Sequence, residues 1–324
     1  MTLFKSTLPR VAAIARTFIG LSALAASMSA FAAYPDKPIK LIVGYTAGGA
    51  YDTATRIIAR RLEAHLGVPV VIENKAGAAG TIADKLVAGA APDGYTLLSG
   101  GSSGALIATR RDYTAYMELA PLMRYGALPI TLSALKTAPF KTLPVLIAYA
   151  KANPGKLNYG HAGLNSQPHL SMELLKYVTG IDIVGVAYPG VAQAQSALLA
   201  GDVQLKVTPP MASDRTNELV VLSTNRSNAI PDVPAAPEAG VKDFFASTWL
   251  GLLAPIGTPK PVQDTLVTAL TRILAEPETR AALLKPPVGV TPIENETPAL
   301  FANDLAAQVS SWKAFIAKSG MKVD

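Results

Sequence analysis

The sequence predicts an α/β protein of two domains, each a mostly parallel sheet flanked by helices. Three observations lead there. Strand-like apolar runs alternate with amphipathic helical runs along almost the whole chain, which is the pattern of βαβ units. The alternation falls into two blocks of similar grammar, the second beginning near Pro144. The 324 residues, less an N-terminal leader, leave about 290, for which two domains are the natural expectation.

The leader is read first so that it can be set aside. Lys5, Arg10 and Arg16 precede the apolar run Phe18 to Ala30, and Ala30-Phe31-Ala32 offers a small-residue cleavage site. Residues 1–32 therefore read as a signal peptide, with a mature chain starting near Ala33. Nothing later approaches ~20 uninterrupted apolar residues, so the mature protein is expected to be exported and soluble. Three basic residues leave with the leader, and the formal charge falls from +6 to +3. The remaining Lys and Arg are scattered without interleaved aromatics, which excludes a nucleic-acid partner. The chain has no cysteine, so disulfides, Cys-based zinc sites and a Cys nucleophile are all excluded. Export without disulfides points to the bacterial periplasm.

The elements follow in order. "IKLIVG" reads as a strand, and after it Ala54, Ile57, Ile58, Leu62 and Leu66 share one helical face. "VPVVIEN" is a strand, "GTIADKLVAGA" a helix and "GYTLLSG" a strand. The second block opens with helix "LPVLIAYAKAN", closed by Pro154-Gly155, then strand "KLNYG", loop "HAGLNSQ" and helix "PHLSMELLKYV". Strand "IDIVGVAY", helix "VAQAQSALLAG" and strand "VQLKV" complete it. "ASTWLGLLAP" reads as a strand crossing back to the first domain. Thr258-Pro259 and Thr297-Pro298 then open two helices, with Pro just inside each start. These assignments place residues 33–134 and 243–324 in domain 1 and residues 135–242 in domain 2.

The stretch "LIVGYTAGGAYDTATRI", Leu41 to Ile57, carries the first candidate site. A strand ends, a loop of small residues follows, and a helix begins on Asp52, with no Lys or Arg before Arg56. Such a turn points backbone N–H groups and the positive end of a helix dipole outward, which suits an anion. Local sequence equally allows Gly48-Gly49 merely to make the turn and Asp52 to cap the helix. The loop lacks both the Walker Gly-Lys-Ser/Thr and a G-x-G-x-x-G fingerprint. The second block repeats the arrangement in "NYGHAGLNSQPHL", where the loop offers Asn165 and Ser166 and a helix begins near Pro168. Two helix starts, one from each domain, are expected to face one ligand, with His169 in the first turn as a further donor.

One enzyme motif is present. Gly100-Gly101-Ser102-Ser103-Gly104 matches G-x-S-x-G after a strand, as a serine hydrolase nucleophile would. Only His161 and His169 follow it, with Asp112 the sole Asp between, a poor spacing for a triad of that order. A Gly/Ser-rich turn donating to a ligand accounts for the same residues. His65, His161 and His169 show no metal-binding pattern, so no metal and no cofactor is expected. Trp249 and Trp312 are expected in the core.

Along nearly all of its mature length the chain resembles the Bug-type receptors of tripartite tricarboxylate transporters, a family of periplasmic solute-binding proteins. The matching stretches include "YPDKPIKLIVGYTAGGAYDTATRIIARRL", "VVIENKAGAAGTIADKLVAGAAPDGYTLL", "PGKLNYGHAGLNSQPHLSMELL", "VAYPGVAQAQSALLAGDVQ" and "TWLGLLAPIGTPKPV". The resemblance implies a Venus-flytrap protein without catalytic activity. It would close as a monomer on a small organic carboxylate and present it to inner-membrane permease subunits. It implies a ligand held by backbone groups and hydroxyls of the loops Tyr45 to Tyr51, including Ala47, Gly48, Gly49 and Ala50, and Gly163 to Ser166, including Leu164. It adds Ser102-Ser103 and the turn Tyr188-Pro189-Gly190 as further walls of the cleft. Two departures stand out: the stretches "KVTPPMASDRTNELVVLS" and "TRRDYTAYMELAPLMRYG" are shorter than the family pattern, and Thr208 stands where some relatives place an Asp for a ligand amine.

Overall fold

The computed structural model describes residues 34–77, 80–101, 118–161, 163–164, 166–211, 213–246, 248–286 and 289–320. The elements of the first block are β1 (Ile39–Val43), α1 (Ala50–Leu66), β2 (Val70–Asn74), α2 (Thr81–Ala88), β3 (Thr96–Gly101) and β4 (Leu119–Gly126). Those of the second are β5 (Thr131–Leu135), α3 (Leu143–Ala152), β6 (Leu157–His161), α4 (Gln167–Thr179), β7 (Ile183–Ala187), α5 (Val191–Ala200), β8 (Leu205–Thr208) and β9 (Thr216–Val221). The chain then forms β10 (Leu250–Pro255), α6 (Lys260–Ala275), α7 (Pro277–Leu284) and α8 (Pro298–Ser319). Strands β4, β5 and β9 and helix α7 had no clear pattern in the sequence reading. Strand β6 runs one residue further than expected and takes His161 out of the loop.

The strands form two five-stranded sheets, ordered β2-β1-β3-β10-β4 and β7-β6-β8-β5-β9. In each, two pairings are parallel and two antiparallel: four of the five strands run the same way, as expected, and one, β10 or β5, runs against them. The reason is the route of the chain. The βαβ strands of both sheets end on the side where the sheets face each other. Strand β5 enters the second sheet from that side, with Thr131 opposite Thr208 at the end of β8, and must run back against it. Strand β10 enters the first sheet in the same way, with Leu250 opposite Gly101 at the end of β3. Strand β10 lies in the first sheet and β5, Thr131–Leu135, in the second.

Each sheet has its own core. In the first, α1 buries Ala54, Ile58, Ala59 and Leu62 against Leu41, Leu97 and Leu252, and ends at Gly67, whose positive φ closes the last turn. In the second, Leu132, Tyr159, Leu205 and Val207 pack under Leu170, Leu174 and Leu175 of α4. Helix α8 belongs to both. Phe301, near its start, is buried with Trp249 and Leu253 of the first sheet, their rings meeting edge-on at 4.8 Å. Trp312 and Phe315, further along the same helix, are buried in the core of the second. The helix start is fixed by Thr297, whose Oγ1 accepts from Leu300 N, and by Arg124 of β4, which pairs with Glu296 and Asp304.

A polar knot sits inside the first core. Thr55 Oγ1 lies 2.7 Å from Ser99 Oγ and 3.1 Å from Tyr125 Oη, and Ser99 Oγ is 3.0 Å from Tyr125 Oη. These three buried hydroxyls tie α1, β3 and β4 together, and burial pushes the Tyr125 phenol up to about 12. Replacing Thr55 by Val removes one corner and leaves Ser99 and Tyr125 bonded to each other. The expected loss is about 1–2 kcal/mol in urea unfolding at unchanged m-value, and the loss for Tyr125→Phe should be of similar size.

Candidate functional site

A cavity of about 390 Å³ lies between the carboxyl ends of the strands of the two sheets. Ligands of open α/β sheets bind at such strand ends, where the turns into helices expose backbone donors. Four helices begin at this cavity. Their N-cap residues are Gly49 for α1, Gly80 for α2, Ser166 for α4 and Gly190 for α5, and all four line it. The first N–H groups of a helix have no partner within the helix, and in none of these four does the cap side chain supply one. Ser166 has the chemistry to cap α4, but its hydroxyl is turned onto Gly163 O at 2.7 Å. Two helix starts from each sheet thus present donors and positive dipole ends to one space.

No Lys, Arg, His, Asp or Glu is among the described residues lining that space. An anion there meets dipoles and not an ion pair. A helix start contributes typically 0.3–1 kcal/mol, and up to about 2 where partly buried, so four acting together supply a useful share of a binding energy. Among the described residues no group of three or more His, Asp or Glu side chains is placed to hold a metal, and no helix is long and apolar enough to cross a membrane.

The first loop is built around Asp52. This carboxylate is almost fully buried and accepts four hydrogen bonds: from Gly48 N at 2.9 Å, Arg56 Nε at 2.8 Å, Arg56 Nη2 at 3.0 Å and Asn74 Nδ2 at 2.9 Å. Asn74 Nδ2 also donates to Tyr45 O at 3.0 Å. Asp52 does not cap α1 from outside, as the sequence allowed; it lies in the first turn and reaches back to hold the loop. Burial pushes its pKa up, but the hydrogen bonds from Arg56, Gly48 and Asn74 and the Arg56 charge outweigh burial and hold it below the usual carboxylate range. Tyr45 and Tyr51 stack at 3.9 Å in the wall of the cavity, and Tyr45 Oη donates to Gly101 O at 3.2 Å. Gly101 must be glycine, because a Cβ there would lie 2.4 Å from the Tyr51 ring and 2.7 Å from Trp249 O. Gly44 is required for the same reason on the other side, where a Cβ would stand 2.9 Å from Gly80 Cα.

Of the residues singled out in the sequence, Tyr45, Gly49, Ala50, Tyr51, Gly163, Leu164, Ser166 and Gly190 line the cavity. Ala47, Gly48 and Asp52 do not; the latter two shape the loop from behind. His169 is drawn away from the cavity, its ring stacked on that of His161 with centroids 4.6 Å apart. Tyr188 lies against Gly160 and its N donates to His161 O, which makes it a support of β6 and not a wall. Pro189 does not line the cavity. Thr208 is fully buried, with Oγ1 donating to Pro209 O at 2.8 Å, and Pro209 takes the lining position. Ser102, Ser103 and Asn165 lie outside the described residues. Thr46, within the loop Tyr45 to Tyr51, also lines the cavity, and so do residues the sequence did not single out: Gln167, Val191, the loop Ala76-Gly77 before α2, and Leu128 and Ile130 on the crossing into β5. The α2 loop carried a signal, the small-residue run "AGAAG" between a strand and a helix; the crossing carried none.

Residues 54–321 match the family model described as the tripartite tricarboxylate transporter family receptor. The chain belongs to that family. Protein BugT of Bordetella pertussis is 33% identical over 328 residues, covering 97% of this chain and 98% of BugT. Among solved structures, MatC of Rhodopseudomonas palustris with bound malate is 30% identical with a TM-score of 0.75, covering 87% of this chain and all of MatC. A second R. palustris protein, solved with adipate, is 30% identical with a TM-score of 0.77, covering 89% of this chain and 98% of that one. The tricarboxylate transporter receptors are periplasmic solute-binding proteins and not enzymes, which overturns the hydrolase alternative at Ser102.

Two outcomes are expected from the loop and the histidines. Asp52→Ala should lower stability by about 1–3 kcal/mol and weaken binding, because Gly48 N loses its acceptor and the loop its anchor; Asp52→Asn should retain more of both. Calorimetry and urea unfolding check this. His169 is pushed down to about 4 by burial and by the neighbouring His161, against 6.5 for a free imidazole. The unfolded chain therefore takes up a proton between these values that the folded chain refuses. His169 costs nothing above pH 6.5, and stability should fall as pH drops from 6.5 towards 4. His169→Gln should flatten that decline, measured as thermal midpoint against pH.

Proposed function

We propose that this receptor captures a small organic carboxylate in the cavity between its two sheets and delivers it to the inner-membrane permease subunits of a tripartite transporter. The observation that carries the reading is the convergence of four uncapped helix starts on one space whose described lining bears no charged side chain. That arrangement favours an anion and tolerates a neutral body. The malate and adipate bound to two relatives support a carboxylate in particular. The protein works as a monomer in the periplasm after loss of residues 1–32. Its lobes form two domains that rotate about the crossings near Ala127–Ile130 and before β10, and ligand shifts the balance from open to closed. The described lining residues of both loops, together with Ser102, Ser103 and Asn165, complete the set that meets the ligand.

The test is thermal unfolding of the mature chain against mono-, di- and tricarboxylates, amino acids and one neutral sugar. A ligand at ~100 times its dissociation constant stabilises by about 2.7 kcal/mol, which raises the midpoint by a few degrees in a protein of this size. Shifts with carboxylates alone are expected. A shift with the sugar and none with any carboxylate would overturn the reading.

A further inference from the structure

The side chains that meet in the cavity are mostly apolar. Leu128 and Ile130 stand on the passage between β4 and β5, Val191 at the first position of α5, Pro209 just after β8, and Leu164 in the loop before α4. Leu128 and Ile130 are almost fully buried, the one in the core of the first sheet and the other in that of the second, so their place in the wall is fixed by the packing behind them. Tyr45 and Tyr51, stacked at 3.9 Å, add two rings.

Three polar side chains of the lining each direct a donor at the protein itself. Tyr45 Oη donates to Gly101 O at 3.2 Å, Ser166 Oγ to Gly163 O at 2.7 Å and Gln167 Nε2 to Ser171 Oγ at 3.3 Å. A ligand body rich in hydroxyls, set among the apolar side chains, gives up water without gaining partners from them, and each such group costs free energy. An aliphatic or aromatic body meets no such cost and takes apolar surface out of water.

Leu164 is the most telling of these residues. Single exposed leucines are common and need no explanation. Leu164, however, is 68% exposed, more than any other large apolar side chain among the described residues, and it lines the cavity. A ligand body beside it covers apolar surface that otherwise stands in water, and a polar body gains nothing from doing so.

We infer that the carboxylate this receptor takes has an apolar body, aliphatic or aromatic and free of hydroxyls, and that Leu164 is a specificity-determining residue that selects it. The inference rests on the carboxylate reading for the charged end of the ligand; the choice of body comes from the wall.

The experiment measures dissociation constants by calorimetry for hexanoate, gluconate, citrate, hexanamide and glucose, with the whole mature protein and the variants Leu164→Ser and Leu164→Met. Hexanoate and gluconate share a carboxylate and a chain length and differ in their hydroxyls; hexanamide keeps the body of hexanoate and lacks its charge. The exposed position of Leu164 leaves the cores untouched in both variants, and equal thermal midpoints verify this. Hexanoate is expected to bind at least about tenfold more tightly than gluconate. Leu164→Ser should weaken hexanoate about fivefold and leave gluconate within about twofold, while Leu164→Met keeps parent-like affinity for both. Gluconate or citrate binding as tightly as hexanoate overturns the inference and leaves the carboxylate reading standing. Parent-like hexanoate affinity in Leu164→Ser overturns it as well, as does an equal loss of hexanoate and gluconate. Hexanamide binding in the absence of any carboxylate binding strikes the carboxylate reading and upholds the apolar body. Glucose binding alone strikes both.

Discussion

The start of a helix leaves backbone donors that the helix cannot use, and the architecture of this receptor brings four such starts to one place. A nearby side chain often closes such a start, and at none of these four does the N-cap side chain do so. Asp52, in the first turn of α1, is committed to Gly48, Arg56 and Asn74. Ser166, at the start of α4, is committed to Gly163. At α2 and α5 the cap residues are Gly80 and Gly190, which have no side chain to offer. The loops are thus shaped by bonds on their outer side, and the inner side is left to the ligand.

The same logic accounts for the mixed sheets. The parallel strands must end at the cavity for their helices to begin there, so a chain that passes between the lobes arrives at the cavity end and runs away from it. Strands β5 and β10 therefore take antiparallel places beside β8 and β3. Leu128 and Ile130, on the passage itself, become part of the cavity wall because the passage crosses its floor. The connection between the sheets and the cavity wall are one region of the molecule.

Much of this was legible before the structure. Strands and helices of the βαβ units follow apolar periodicity, and the loops at Tyr45–Tyr51 and Gly163–Ser166 were found because a small-residue turn between a strand and a helix has a physical meaning. What was missed has a physical reason as well. Strands β4, β5 and β9 owe their state to pairing partners far away in the chain, which local pattern does not register. Thr208 and Tyr188 were placed in the cleft by the family resemblance; a strand sends alternate residues to opposite faces, and the cavity is lined by Pro209 next to Thr208. His169 was expected as a donor to the ligand; in the structure its ring stacks on that of the buried His161.

Helix α8 carries a further consequence, which concerns time. Phe301 completes the first core, and Trp312 and Phe315, 11 and 14 residues later in the same helix, complete the second. The first sheet also waits for β10, which is inserted between strands made about 130 residues earlier in its neighbour β4. Neither lobe can finish folding until the last tenth of the chain is available. A polypeptide emerging in order from a ribosome holds two unfinished halves until its end arrives.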